Sequence, residues 1–259
     1  MRVIGVTAEP AGRLFRGNPA YVPRTPWPVP AAIVATVAII GLGMLGTTLA
    51  PAVLDLDAAP PHPTGEIPAE LLWGLAVFQV VAIALTLAAA SLLGGRPREV
   101  LALGHAPGGW AVYASAILAM AALQVVLAGV QHALLSHDIL TDLRPFVGLV
   151  TGPDWPLAAA VLGIGAPLSE ELLFRGFLLG ALARSRLGFW GAAAISTLGW
   201  TALHWGYSLA GLAEVFAIGM LLSWLLWRTG SLRVTILCHA VYNSAIVVAL
   251  RLVDLPAQA

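Results

Sequence analysis

Apolar residues run along this chain in long stretches, and charges, prolines and glycines collect in the short segments between them. The apolar runs lie near 29–54, 69–94, 109–135, 155–183, 189–205, 208–227 and 232–253. Crossing roughly 30 Å of hydrocarbon takes about 20 helical residues, so each run predicts one transmembrane helix. The fifth run is short and the sixth carries Glu214, which leaves their ends soft by several residues. No heptad repeat, low-complexity tract or soluble domain interrupts the series. The first run is too long, and its flank too rich in proline and arginine, for a cleaved signal peptide. The expected fold class is all-α: a polytopic membrane bundle of about seven transmembrane helices.

Composition sharpens this reading. Of 259 residues, 59% are hydrophobic and 10% charged, against about 25% charged in soluble domains. That composition argues against a water-soluble globule. Acidic and basic residues balance at thirteen each, which gives no reason to expect a nucleic-acid partner. All the basic residues are arginine, a compositional bias. The single cysteine, Cys238, excludes an intrachain disulfide framework and a multi-cysteine zinc site. It reads as a small filler on a buried helix face.

The arginines orient the bundle. With the N-terminus in the cytoplasm, inner segments hold Arg2, Arg13, Arg16, Arg24, Arg96, Arg98, Arg184, Arg186, Arg228 and Arg233, and outer segments hold Arg144 and Arg251. That asymmetry follows the positive-inside rule. Asp55, Asp57, Glu66, Asp138, Asp142 and Asp154 fall on the outer loops. Residues 1–28 read as a disordered cytoplasmic tail, 29–150 as three helices with an outer loop, and 151–259 as the last four helices. The loop 136–154 mixes charge with apolar residues; it reads equally as an interfacial segment or a connector.

Few polar groups remain inside the spans, and such groups must face a bundle interior or a wet cavity. Glu170, Glu171 and Arg175 lie on the fourth helix, His204 on the fifth, Glu214 on the sixth, and His239 and Asn243 on the seventh. Gln79, Gln124, Gln131 and His132 lie on earlier helices. Glu171 and Arg175 are four apart and share a face, so they are expected to pair. Glu170 points about 100° away and lacks that partner, which suits a general base. His239 and Asn243, also four apart, present an imidazole and an amide together. One carboxylate, two imidazoles and an amide make a hydrolytic centre: Glu170 to take a proton from water, His204 to orient it, His239 and Asn243 to hold an oxyanion. Glu214 is expected to snorkel to the outer interface.

These residues resemble the motifs of the CPBP family, the CAAX prenyl proteases and bacteriocin-processing enzymes, also called Abi-type intramembrane proteases. The first motif reads "EELLFR" and continues with Gly176. The second, usually phenylalanine, three residues and histidine, reads "WTALH" with Trp200 in the aromatic place. The third reads "HAVYN". "RTGSL" before the last helix and "LALG" before the third also look like the family. The motif region covers about 155–253.

The resemblance implies a helical intramembrane endopeptidase with Glu170, His204, His239 and Asn243 as catalytic residues. Glu171, Arg175 and Trp200 would support them. It implies a multi-pass protein of the bacterial cytoplasmic (inner) membrane, in contact with lipid and with a peptide or membrane-tethered protein substrate. The family is described both as metalloprotease and as metal-independent glutamate protease. If a metal is present, Glu170, His204 and His239 would hold zinc, but no HExxH helix occurs. Proton transfer beside an oxyanion pocket needs no cofactor, and that is the reading taken. A proton-coupled transporter and a silent membrane scaffold are the rival readings; no repeat supports the first. One step of the geometry is strained. At 1.5 Å per residue Glu170 lies roughly 20 Å from either end of its helix, whereas His204 falls near the outer end of a short one.

Overall fold

The computed structural model describes residues 14, 19–54, 70–135 and 142–252. Among them all regular structure is helical. The long helices are α1 (Val29–Val53), α2 (Glu70–Leu92), α3 (Trp110–Val130), α4 (Trp155–Leu182), α5 (Gly188–Ala202), α6 (Leu209–Thr229) and α7 (Leu232–Leu252). Each matches an apolar run to within a few residues. Six are long and apolar enough to cross a membrane. The seventh, α5, has 15 residues, about 22 Å at 1.5 Å per residue, and a non-helical turn follows it.

The first two helices form an antiparallel hairpin, tied where Thr47 Oγ1 donates to Gly74 O at 3.1 Å. α4 runs through the middle, and every residue from Glu171 to Leu182 is buried. Its path is set by Pro167, which has no N–H to offer the carbonyl four residues back and crowds it. The helix widens there: the Ala166 N–H reaches back five residues to Val161 O. Three successive carbonyls of the widened turn accept side chains from neighbouring helices. Val161 O takes Gln79 Nε2 at 3.0 Å, Leu162 O takes Asn243 Nδ2 at 3.0 Å, and Gly163 O takes Ser244 Oγ at 3.4 Å. Within lipid, backbone groups freed in this way must be satisfied by protein, and α2 and α7 supply the donors. A second widened stretch, Glu171–Leu178, carries the first motif; its Phe174 carbonyl takes Ser196 Oγ of α5 at 2.7 Å. Wide turns of this kind are frequent at functional sites.

The two ends of the bundle are held differently. At the end assigned to the cytoplasm, Gly230 closes α6 in the left-handed region (φ 64°), and a Cβ there would sit 2.8 Å from Ala20 O. The "RTGSL" turn it makes docks on "LALG". Leu232 N donates to Ala102 O at 2.8 Å, Arg233 Nε to Leu103 O at 2.7 Å and Ser231 Oγ to Gly104 O at 2.6 Å. The two stretches that resembled the family before the third and seventh helices are one contact.

Residues 19–28, expected to belong to a disordered tail, pack against this same end. Trp27 is buried and stacks on Phe177 at 4.6 Å, Tyr21 meets Phe189, and Arg184 donates to Thr25 O. An apolar ring and backbone acceptors aimed at the bundle outweigh the prolines here. Residues 1–13 and 15–18 lie outside the described residues. At the other end, Val147–Thr151 is a short helix with Leu149 and Val150 buried against α2, α4 and α7. Arg251 donates to Val150 O at 2.7 Å and lies over Trp155. The outer loop is therefore a folded cap over 142–154; its residues 136–141, with Asp138, lie outside the described residues, as do Asp55, Asp57 and Glu66.

Close packing at the centre depends on Gly219 of α6. A Cβ on it would stand 2.5 Å from Thr197 Cγ2, 2.7 Å from Arg175 Nη2 and 3.0 Å from Trp200 Cε3. All three neighbours are buried. Overpacking of this kind costs about 1–3 kcal/mol. Gly219→Ala is expected to lower the thermal unfolding midpoint in detergent by several degrees; an unchanged midpoint would show that the helices part freely here.

Candidate active site

Adjacent glutamates on α4 meet different surroundings because each residue turns the helix about 100°. Glu171 faces inward, fully buried, and Arg175 Nη1 donates to its Oε1 at 3.0 Å; Arg175 is fully buried as well. The pair expected from the spacing is present. His239 Nδ1 of α7 joins the same oxygen at 3.1 Å. An ionised carboxylate only accepts, so Nδ1 carries a proton, and the tautomer with its lone pair on Nε2 is the one this contact selects. Nε2 lies 4.0 Å from Glu170 Oε2.

Glu170 takes a different partner. Its Oε2 accepts the Trp200 Nε1–H at 2.7 Å, and its side chain is 20% exposed. Trp200 is the hub of the cluster. Its ring lies 4.2 Å under the Arg175 guanidinium, 5.6 Å from the His239 ring and 5.1 Å from the His204 ring. Cation–π contact with a desolvated arginine contributes about 2 kcal/mol. His204 sits in the turn after α5, with Nδ1 3.1 Å from Trp200 O. The depth mismatch is closed by the indole: Trp200, one turn further in, reaches Glu170 while His204 stays at the outer end.

Asn243 lines the same side of α7, half-buried, with one amide hydrogen given to Leu162 O. The amide has a second hydrogen to offer. The structure thus gathers Glu170, His239, Trp200 and His204 around one another and ties Asn243 to the widened turn beside them.

Glu214 does not snorkel outward. Its Oε2 accepts Gln131 Nε2 at 2.8 Å and its Oε1 accepts the Tyr242 hydroxyl at 3.3 Å. Two donors from α7 and the wide turn after α3 hold it within the bundle better than water at the rim. Tyr207 lies between the two polar groups: its ring is 5.4 Å from His204. Burial pushes its phenol up to about 12, and the Glu170, Asp142 and Glu214 carboxylates push the same way. Asp142 in turn accepts the Ser208 N–H at 2.7 Å, bracing the start of α6.

Sequence reasoning passed over Tyr207 and Tyr242, although each stands three residues after a motif histidine and so shares its side. Of the remaining polar positions, Gln79 braces α4, and Gln124 Nε2 is buried without a partner among the described residues. His132 is exposed. Cys238 is buried, with its thiol on Ala116 O, as a filler would be.

Zinc needs ligand atoms at about 2.0–2.2 Å in a tetrahedron. Among the described residues, no three His, Cys, Asp or Glu side chains gather for a metal ion. His239 keeps Nε2 toward Glu170, but His204, the third expected ligand, meets the cluster through the Trp200 ring, so Glu170, His204 and His239 do not converge as a zinc-binding set in this arrangement.

Residues 152–245 match the family described as Type II CAAX prenyl endopeptidase Rce1-like. An uncharacterized 24.3 kDa protein of Escherichia coli is 35% identical over 133 residues, 50% of this chain and 58% of that protein. The match therefore spans less than two thirds of that relative. No solved structure matches. Together with six apolar spans, the family match identifies an integral multi-pass membrane protein.

Proposed function

We propose, from the premise that residues 152–245 carry an Rce1-like domain of the CAAX prenyl endopeptidase (CPBP) family, that this chain is an intramembrane endopeptidase. Its substrate is a membrane-associated peptide or protein, and its setting is a bacterial cytoplasmic membrane. The observation that carries the reading is the 4.0 Å approach of His239 Nε2 to Glu170 Oε2, beside the buried Glu171–Arg175 pair. Two hydrogen bonds of about 2.8 Å each span more than that gap. One water oxygen can therefore bond both groups at once.

In this mechanism His239 accepts one hydrogen of the water and fixes its lone pair toward the scissile carbonyl. Glu170 takes the other proton as the oxygen attacks. The C–N bond then breaks, the proton on Glu170 passes to the departing amine, and the acyl half leaves as a carboxylic acid. The free amide hydrogen of Asn243 is assigned to the oxyanion. His204, with Nε2 turned away from the Trp200 carbonyl, orients the reacting groups from the outer side. Glu171 and Arg175 position His239 and Trp200. No step runs through a metal.

The test is purified protein in liposomes with a peptide library, read as new termini by mass spectrometry. Cleavage supports the reading; ion flux without any cleavage would support a carrier instead. Trp200→Phe keeps the aromatic wall but removes the donor that holds Glu170. A hydrogen bond to a charged acceptor is worth about 1.5–3 kcal/mol, so turnover of the folded fraction is expected to fall roughly tenfold or more, and the smaller ring at this buried position also lowers stability. Turnover equal to the wild type would show that Glu170 needs no indole to hold it.

A further inference from the structure

The polar cluster is not sealed evenly. On the side of Arg175, α4 continues into Phe174, Phe177, Leu178, Leu179 and Leu182, all buried. They pack with the fully buried Leu222, Leu225 and Leu226 of α6, and with Leu232 and Val234 of α7. Trp27 covers this plug by stacking on Phe177. Among the described residues this end of the cluster is closed by apolar side chains. On the opposite side Glu170, His204, Tyr207, Glu214, Tyr242 and Asn243 are all partly exposed, with Gln131 buried behind Glu214. Beyond them lies the turn 203–208 with Trp205 at 83% exposure.

The two ends can be named. Residues 19–28, Leu101–Gly104, the α4–α5 turn and the α6–α7 turn are bonded into one face through Arg184, Arg233 and the Ala20 and Tyr21 N–H groups on Trp227 O, and Arg228 adds Leu14 O. This face holds Arg24, Arg96, Arg98, Arg184, Arg186, Arg228 and Arg233, whereas the other holds Arg144 and Arg251. Under the positive-inside rule the arginine-rich face is cytoplasmic. Exposure of the cluster and charge of the bundle thus point in opposite directions.

We infer that the pocket around Glu170 opens to the outer, non-cytoplasmic side of the membrane and draws both its water and its substrate from there. The peptide cut is then an extracytoplasmic segment of an exported or membrane protein, not a tail presented from the cytoplasm. What is cut rests on the peptidase reading; which side feeds the pocket does not.

The experiment separates the two. Tyr207→Cys and Glu214→Cys are each labelled with a membrane-impermeant thiol-reactive sulfonate, in spheroplasts and in inverted vesicles. Arg186→Cys marks the opposite face, and the wild type, whose Cys238 is buried, gives the background. Expected is labelling of Tyr207→Cys and Glu214→Cys in spheroplasts, and of Arg186→Cys in inverted vesicles alone. Labelling of the pocket variants only alongside Arg186→Cys, or from neither side, overturns outward access. So does labelling of Arg186→Cys in spheroplasts. Proteolysis that survives loss of Glu170 would instead defeat the peptidase assignment and leave the labelling result standing.

Discussion

Glu170→Gln is expected to insert and unfold like the wild type and, on the proposed peptidase reading, to hydrolyse peptide about 10³-fold more slowly, within the range of about 10²–10⁴ that a positioned general base contributes. Glutamine keeps the shape of the side chain and an oxygen to accept the Trp200 N–H, which stands 2.7 Å away. It cannot take a proton from water. The loss therefore falls on kcat, and the thermal midpoint moves little because the position is partly exposed and pairs with no arginine within the cluster. The check is kcat and unfolding measured on the same preparation. A variant that retains wild-type turnover removes Glu170 from the chemistry; one that fails to fold assigns it to the frame.

Arg175→Met produces the opposite signature. It strands Glu171 as a fully buried carboxylate without its cation, left to the hydrogen bonds of His239 and Thr235. Breaking a buried pair on one side costs about 3–5 kcal/mol, so the variant is expected to be poorly folded and inactive at once. Removing both charges, as Glu171→Leu with Arg175→Met, leaves no orphan and should recover most of that stability. Activity should not return, because His239 then loses the acceptor that fixes its Nδ1–H and turns Nε2 toward Glu170. Stability of the single and double variants in detergent, set beside their turnover, separates the frame from the chemistry. A double variant as unstable as the single would mean that the pair is not what the centre is built around.

The helices were legible because hydrocarbon permits little else: an apolar run long enough to span reads the same with or without neighbours. The Glu171–Arg175 pair was legible because it is local to one helix. What stayed hidden depends on contacts across helices, which spacing does not encode. Trp200 was read only as a supporting aromatic of the second motif, yet its ring nitrogen holds Glu170. Glu214 was read as a rim residue because its donors, Gln131 and Tyr242, lie 83 and 28 positions away. Pro167 alone signalled the widened turn of α4; the docking of Gln79, Asn243 and Ser244 onto its carbonyls had no sequence signature. Prolines and arginines in 1–28 suggested disorder, and Trp27 overrode them for the last ten residues by finding Phe177.

The proposed centre is a glutamate, two imidazoles and an amide that activate water without a metal. The direct measurement is peptide-library cleavage by the purified wild type, assayed with and without prolonged dialysis against a chelator, beside Glu170→Gln treated identically. The account predicts fragments at the same rate before and after dialysis, and none from the variant. Fragments lost on dialysis and restored by zinc, or an active Glu170→Gln, would contradict it.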